Sequence, residues 1–200
     1  MVKSLVDKRS TSKALRLGRA AGVPNLIFMT DSARVSDPCA VCLSLPAGSI
    51  IILRDYKHAD RTGLAESLRR VTREQSQFLL VAGDAHLAHS VGADGLHLPE
   101  YQLALQPNLA GFGLVSAACH NQRALLKAEH LGVDFAVVSP VFTTDSHPDV
   151  TPLGVHRLAR LAAVSKVPLV ALGGITVKNA ARLAGIKLIG IAAIGAFAAL

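Results

Sequence analysis

Eight apolar runs of strand length alternate with helical stretches along this chain, and that alternation most restricts its fold. The runs occupy residues 25–30, 49–54, 77–82, 95–98, 113–117, 135–139, 168–172 and 187–192. Helical spacing of apolar residues marks the stretches between them, at 37–44, 61–75, 84–91, 100–107, 121–131, 154–164 and 177–184. Strands joined through helices pair in parallel, because each connection must cross back over the sheet. Parallel strands are covered on both faces. That suits a chain that is 50% hydrophobic but only 4% aromatic, with small and branched aliphatics in abundance.

A short echo points to a repeated unit. Val91-Gly-Ala-Asp-Gly95, Leu131-Gly-Val-Asp134 and Ala184-Gly-Ile-Lys187 each follow a helical pattern and precede an apolar run. Glycine ends such a helix in a left-handed cap, and the next strand begins one or two residues later. Eight units of this kind close into an α/β fold, the (β/α)8 TIM barrel, as a single domain. Residues 1–24 read as an extra N-terminal helix and residues 25–200 as the barrel, with a shortened C-terminal helix. An open doubly wound sheet is the alternative. It is disfavoured because the turn after the first run, Met29-Thr-Asp-Ser-Ala-Arg34, lacks a glycine-rich fingerprint.

The net charge of +7 includes Lys3, Lys8, Arg9, Lys13, Arg16 and Arg19. Without interleaved aromatics this cluster reads as a solvated helix face, so no nucleic acid is expected as a partner. A basic chain instead suits a small phosphorylated substrate. Three cysteines and no secretory h-region point to a reducing, cytoplasmic setting. Cys39 and Cys42 form a C-x-x-C pair on a short amphipathic helix, without the second pair a zinc site needs. No apolar run spans a bilayer, so no membrane partner is expected; a homo-oligomer is left open.

In a barrel, chemistry belongs at the carboxyl ends of the strands. After the seventh run, Gly173 and Gly174 let the backbone approach an anion, and Ile194 and Gly195 form a similar turn after the eighth. The sixth run leads into a long polar loop carrying Thr144, Ser146 and His147, whose side chains can donate to phosphate oxygens. Behind the second run, Arg54 and Lys57 put two cations at the mouth. His120 follows the fifth run and is the candidate for proton transfer. His86, His89 and His97 invite a metal reading, but no carboxylate stands at matching spacing, so no metal ligand is assigned among them.

Four segments resemble the thiamine phosphate synthase and thiazole tautomerase family. They are Leu26-Ile-Phe-Met-Thr-Asp31, Val91-Gly-Ala-Asp-Gly-Leu-His-Leu98, the loop Pro140 to Gly154, and Val170-Ala-Leu-Gly-Gly-Ile175. The resemblance implies a (β/α)8 barrel. It also implies a synthase that joins a pyrimidine methyl diphosphate to a thiazole phosphate with Mg2+, or a tautomerase that isomerises thiazole phosphate without metal. On that resemblance, Thr144, Ser146, Gly174, Ile194 and Gly195 fall on thiazole-phosphate positions, and His147 stands where a lysine is usual. The implied diphosphate pattern departs more: Ile52 replaces a glutamine, and Lys57 lies one position late. The implied Mg2+ positions hold Ala82, Gly83 and Gln102, with Asp84 and Glu100 beside them as substitute ligands. The first reading is a synthase-like transferase of thiamine biosynthesis. A metal-independent tautomerase is the alternative, and a non-catalytic binder of a thiazole or thiamine phosphate comes third.

Overall fold

The computed structural model describes residues 25–144 and 149–196. Eight parallel strands form its centre: β1 (Asn25–Met29), β2 (Ile50–Leu53), β3 (Phe78–Ala82), β4 (Gly95–Leu98), β5 (Leu114–Cys119), β6 (Phe135–Val138), β7 (Leu169–Leu172) and β8 (Gly190–Ala193). Each pairs with its successor, and β8 returns to β1 with Asn25 opposite Gly190, so the sheet closes into a barrel. Closure rules out the open sheet. The helices between strands are α1 (Pro38–Ser44), α2 (Arg61–Glu74), α3 (Ala85–Ser90), α4 (Gln122–Leu131), α5 (Gly154–Val164) and α6 (Val177–Ala180). The N-terminal helix expected over residues 1–24 lies outside the described residues, as does the end of the chain after residue 196.

Side-chain caps fix where the helices start. Asp37, Asp60, Asp84 and Asn121 each accept a hydrogen bond from a backbone N–H three residues on, opening α1, α2, α3 and α4. One expected helix is corrected. The stretch 100–107 forms only a 3-10 helix, Glu100–Ala104. Gln106 takes a left-handed φ of 46°, and Pro107 follows it. A residue before proline is pushed out of the helical region, so the segment ends early.

The three echoed turns behave alike up to a point. Gly92, Gly132 and Gly185 have φ of 61°, 70° and 80°, conformations that side chains rarely tolerate. In two of them the aspartate then clamps the neighbouring strand. Asp94 accepts the N–H of Leu79 at 2.8 Å, and Asp134 accepts that of Val115 at 2.7 Å. Arg69 grips the Asp94 carboxylate with two hydrogen bonds, at 2.6 and 3.2 Å. The third copy has Lys187 in the aspartate's place and carries no such clamp.

Two apolar shells result. Ile27, Ile50, Ile52, Leu80, Phe135 and Val170 fill the barrel interior. Phe28, Ile51, Leu53, Leu79 and Val81 face the helices with Leu68 and Leu158. Burying each such Leu, Ile or Phe contributes roughly 1.5–3 kcal/mol. One polar pair breaks the inner shell: His97 Nδ1 lies 2.8 Å from Ser116 Oγ, on the adjacent strand. Among the described residues, no helix is long and apolar enough to cross a membrane.

Candidate active site

A cavity of about 640 Å³ opens at the carboxyl ends of the strands. Its deeper wall is made by inward-facing strand residues, among them Met29, His97, Val137 and Ala192. Strand alternation turns His97 inward while Leu96 and Leu98 pack outward. His97 is 1% exposed. Burial, aided by the Arg54 charge, pushes its pKa down to about 3, so the imidazole is neutral. The sequence pattern groups it with His86 and His89 and does not mark it as a pocket residue. Those two lie on the exposed surface of α3, where His89 stacks on Phe112 with ring centres 4.3 Å apart.

Gly173, Gly174, Ile194 and Gly195 all line one end of the cavity, together with Thr144. The glycines are required there. Gly173 and Gly174 have φ of 101° and 64°. A Cβ on Gly174 would lie 2.2 Å from the Thr143 carbonyl oxygen, because the loop after β6 runs against this turn. Phe142 N–H donates to Gly173 O at 3.0 Å, and Asn179 Nδ2 donates to Gly174 O at 2.7 Å, which fixes the turn from both sides. Ser146 and His147 lie outside the described residues.

A cation that the sequence reading did not assign completes this end. Arg34 lines the cavity, and its Nη2 lies 3.5 Å from where a Cβ on Gly195 would stand. The loop that carries it is pinned by two aspartates. Asp55 accepts from Thr30 Oγ1 and from the Ser32 N–H, and Asp31 O accepts the N–H of Arg34 at 2.9 Å. Burial would raise the Asp55 carboxyl, but these hydrogen bonds outweigh it and hold the group below its ordinary value. No local motif announces Arg34; it reaches the pocket only because β1 and β8 are neighbours.

Beside this loop, at the end of β2, Arg54 lines the cavity but its Nη2 is held 2.5 Å from Asp31 Oδ2. Lys57 is exposed and not part of the cavity wall. The chain turns at Asp55, whose carbonyl accepts the N–H of His58, and this brings Tyr56 rather than Lys57 to the mouth.

The positions where the resemblance implies Mg2+ do not fit it. The Ala82 side chain has no ligand atom and its carbonyl accepts from Arg61 Nη2 at 2.6 Å, while the carbonyl of Gly83 accepts a hydrogen bond from Gln102 Nε2 at 2.9 Å. The two substitute carboxylates are engaged elsewhere. Asp84 caps α3 and lies 3.5 Å from Arg61 Nη1, while Glu100 holds His120. Among the described residues, no three His, Cys, Asp or Glu groups converge as a metal site.

Glu100 and His120 form the remaining constellation. Glu100 Oε2 lies 2.6 Å from His120 Nδ1 and accepts the His120 backbone N–H at 2.7 Å. Both residues line the cavity, leaving the imidazole Nε2 for a ligand. Cys119, one residue earlier, is buried, and burial pushes its thiol up to about 12, with the Glu100 charge adding to the effect. Burial likewise pushes Cys42 up to about 12 and raises Cys39. None of the three favours the reactive thiolate.

Comparison with known proteins places these features in a family. The family model for thiamine monophosphate synthase matches residues 26–197. The chain is 32% identical to thiamine-phosphate synthase of Chloroflexus aurantiacus over 162 residues, 78% of this chain and 75% of that protein. It is 33% identical to thiamine-phosphate synthase of Methanoculleus marisnigri over 154 residues, 74% of this chain and 72% of that one. Among solved structures, thiamine phosphate pyrophosphorylase from Pyrococcus furiosus superposes with a TM-score of 0.69 at 26% identity, covering 85% of both chains. 3-keto-L-gulonate-6-phosphate decarboxylase from Vibrio cholerae, at 15% identity and a TM-score of 0.59, shares the fold alone. The chain belongs to the thiamine monophosphate synthase family, whose named members are transferases of thiamine biosynthesis.

Proposed function

We propose that the cavity binds a thiazole phosphate and that His120, held by Glu100, moves protons on the thiazole ring. The phosphate sits between the Gly173–Gly174 turn and the Ile194–Gly195 turn, with Arg34 and Thr144 beside it. The ring lies toward His120 and above the neutral His97. His120 Nε2 takes a proton from one position of the ring system and returns one at another. Atoms and charge balance within the ligand, and no electron acceptor is needed. Glu100 on Nδ1 fixes the ring's orientation and stabilises the imidazolium that forms in passing. The observation that carries this reading is the Glu100–His120 contact at the wall of the cavity.

Synthase chemistry is the second reading, and the names of the relatives favour it. It needs Mg2+ on the departing diphosphate, and the donor set at Ala82, Gly83 and Gln102 does not supply one. Two assays on one preparation separate the readings. Proton NMR of thiazole phosphate alone, in deuterated buffer, follows isomerisation and exchange. Addition of pyrimidine methyl diphosphate and Mg2+ follows thiamine phosphate formation. Exchange without the second substrate supports the proposal. Turnover only with both substrates replaces it with the synthase reading, and binding without either reaction leaves a binder.

A further inference from the structure

The part of the mouth above β2, β3 and β4 is occupied by an aromatic surface. Tyr56 and Tyr101 both line the cavity and are 50% and 68% exposed. Pro99 joins them on the wall. Gly83 lies directly against this surface: a Cβ there would stand 3.3 Å from Tyr56 Cε1 and 3.3 Å from Pro99 Cγ. A side chain at position 83 would therefore have to press the Tyr56 ring and Pro99 back by a few tenths of an ångström.

The two arginines at this side are engaged internally, and Lys57 is not part of the cavity wall. Arg61 Nη2 donates to the carbonyl of Ala82 at 2.6 Å, and Arg61 Cζ lies 5.5 Å from the Tyr56 ring centre. Tyr56 is on the cavity wall and Arg61 is not, so the ring stands between that guanidinium and the open space. Arg54 is neutralised by Asp31. A diphosphate carries several negative charges and would meet here two phenols, a proline and a compensated arginine. A neutral planar ring would meet aromatic faces, one of them backed by a cation.

We infer that this half of the mouth is a metal-free aromatic subsite, which takes an uncharged heteroaromatic ring on Tyr56 and Tyr101 and does not take a magnesium-bound diphosphate. The inference deepens the proposed function, since it assigns what lies beside the thiazole phosphate in the same cavity. The ligand class is a nitrogen heterocycle without phosphate groups, such as the pyrimidine alcohol that remains when a pyrimidine methyl diphosphate has lost its diphosphate.

Calorimetry on the full chain tests it with two probes, a hydroxymethyl aminopyrimidine and inorganic pyrophosphate with Mg2+. The pyrimidine should bind saturably. Tyr56→Ala should weaken it by at least roughly tenfold, and Tyr56→Phe should retain it. Pyrophosphate with Mg2+ should give no saturable isotherm. Tyr101→Ala serves as a second variant should Tyr56→Ala fail to fold, since its ring is the more exposed. Stoichiometric Mg2+-dependent pyrophosphate binding, no pyrimidine binding, or pyrimidine affinity unchanged in both alanine variants would overturn the inference. Thiazole phosphate titrated into the same samples reports on the other end of the cavity. If it binds and the pyrimidine does not, the aromatic subsite alone fails; the reverse result defeats the phosphate reading alone.

Discussion

Glu100 engages His120 twice through one oxygen, accepting its backbone N–H at 2.7 Å and lying 2.6 Å from its Nδ1. The contact ties the start of the 3-10 segment to the end of β5, and Asn121 Nδ2 reaches the other carboxylate oxygen at 3.3 Å. His120→Asn keeps size and polarity but cannot carry a proton. Isomerisation of thiazole phosphate should then fall by roughly 10²–10⁴-fold, with binding nearly unchanged. Glu100→Gln retains an acceptor for the backbone N–H but loses the charge, so its loss of turnover should be smaller. Equal losses of binding and turnover in His120→Asn, measured by calorimetry and NMR, would make the residue structural.

Gly174→Val should remove phosphate binding. The left-handed backbone costs about 1–2 kcal/mol for any side chain. The added Cβ also meets the Thr143 carbonyl oxygen at 2.2 Å, so the loop after β6 must move. An affinity loss beyond tenfold is expected in thiazole-phosphate titrations. Unchanged affinity in a folded variant would put the phosphate elsewhere.

Arg34→Met should weaken thiazole phosphate by more than it weakens the dephosphorylated thiazole, because the lost positive charge attracts the phosphate and not the neutral ring. Arg34→Lys keeps charge but not the planar fork and should recover part of the loss. Comparing the two ligands across salt concentrations checks this. Equal effects on both would show that Arg34 shapes the loop instead of binding the phosphate.

His97 predicts an acid limb in stability. Its folded pKa of about 3 lies below the ordinary histidine value, because burial, then the Arg54 charge, opposes the proton. Above the unfolded value, near 6.5, both states are neutral and the residue adds no pH dependence. Below it, the unfolded chain binds a proton that the barrel refuses. Stability should fall as pH drops from about 6.5 toward 3, by at most about 1.4 kcal/mol per unit from this group. His97→Gln should flatten that slope in urea melts between pH 4 and 7. An unaltered slope would assign the acid limb to other groups.

The sequence made the strands legible because nearly every strand residue is apolar and buried; β4 begins and ends at the expected residues. Boundaries shifted where backbone pairing and hydrophobicity part company. β8 starts at Gly190 instead of residue 187, since the Leu188 N–H turns back to Ile186 O before Ile189 reaches Leu169 O, and β5 extends to Cys119. The glycine turns were legible because glycine meets a local conformational demand. Arg34 and Tyr56 were not, because a loop's path depends on partners distant in sequence, here Asp55 and Gly83. Lys57 failed as a mouth residue for the same reason: spacing along a strand does not continue through a turn.

Closure of the barrel between β8 and β1 also governs when the pocket exists. Arg34 comes from the first loop and Gly195 from just past the last strand, so this end of the cavity combines early and late parts of the chain. A chain still emerging from the ribosome, with β8 not yet made, lacks Ile194 and Gly195 and with them one wall of the proposed phosphate site. On the proposed reading, ligand stabilises the protein only after the last strand has docked, and its β7–β8 seam is the one that Lys187 leaves without an aspartate clamp.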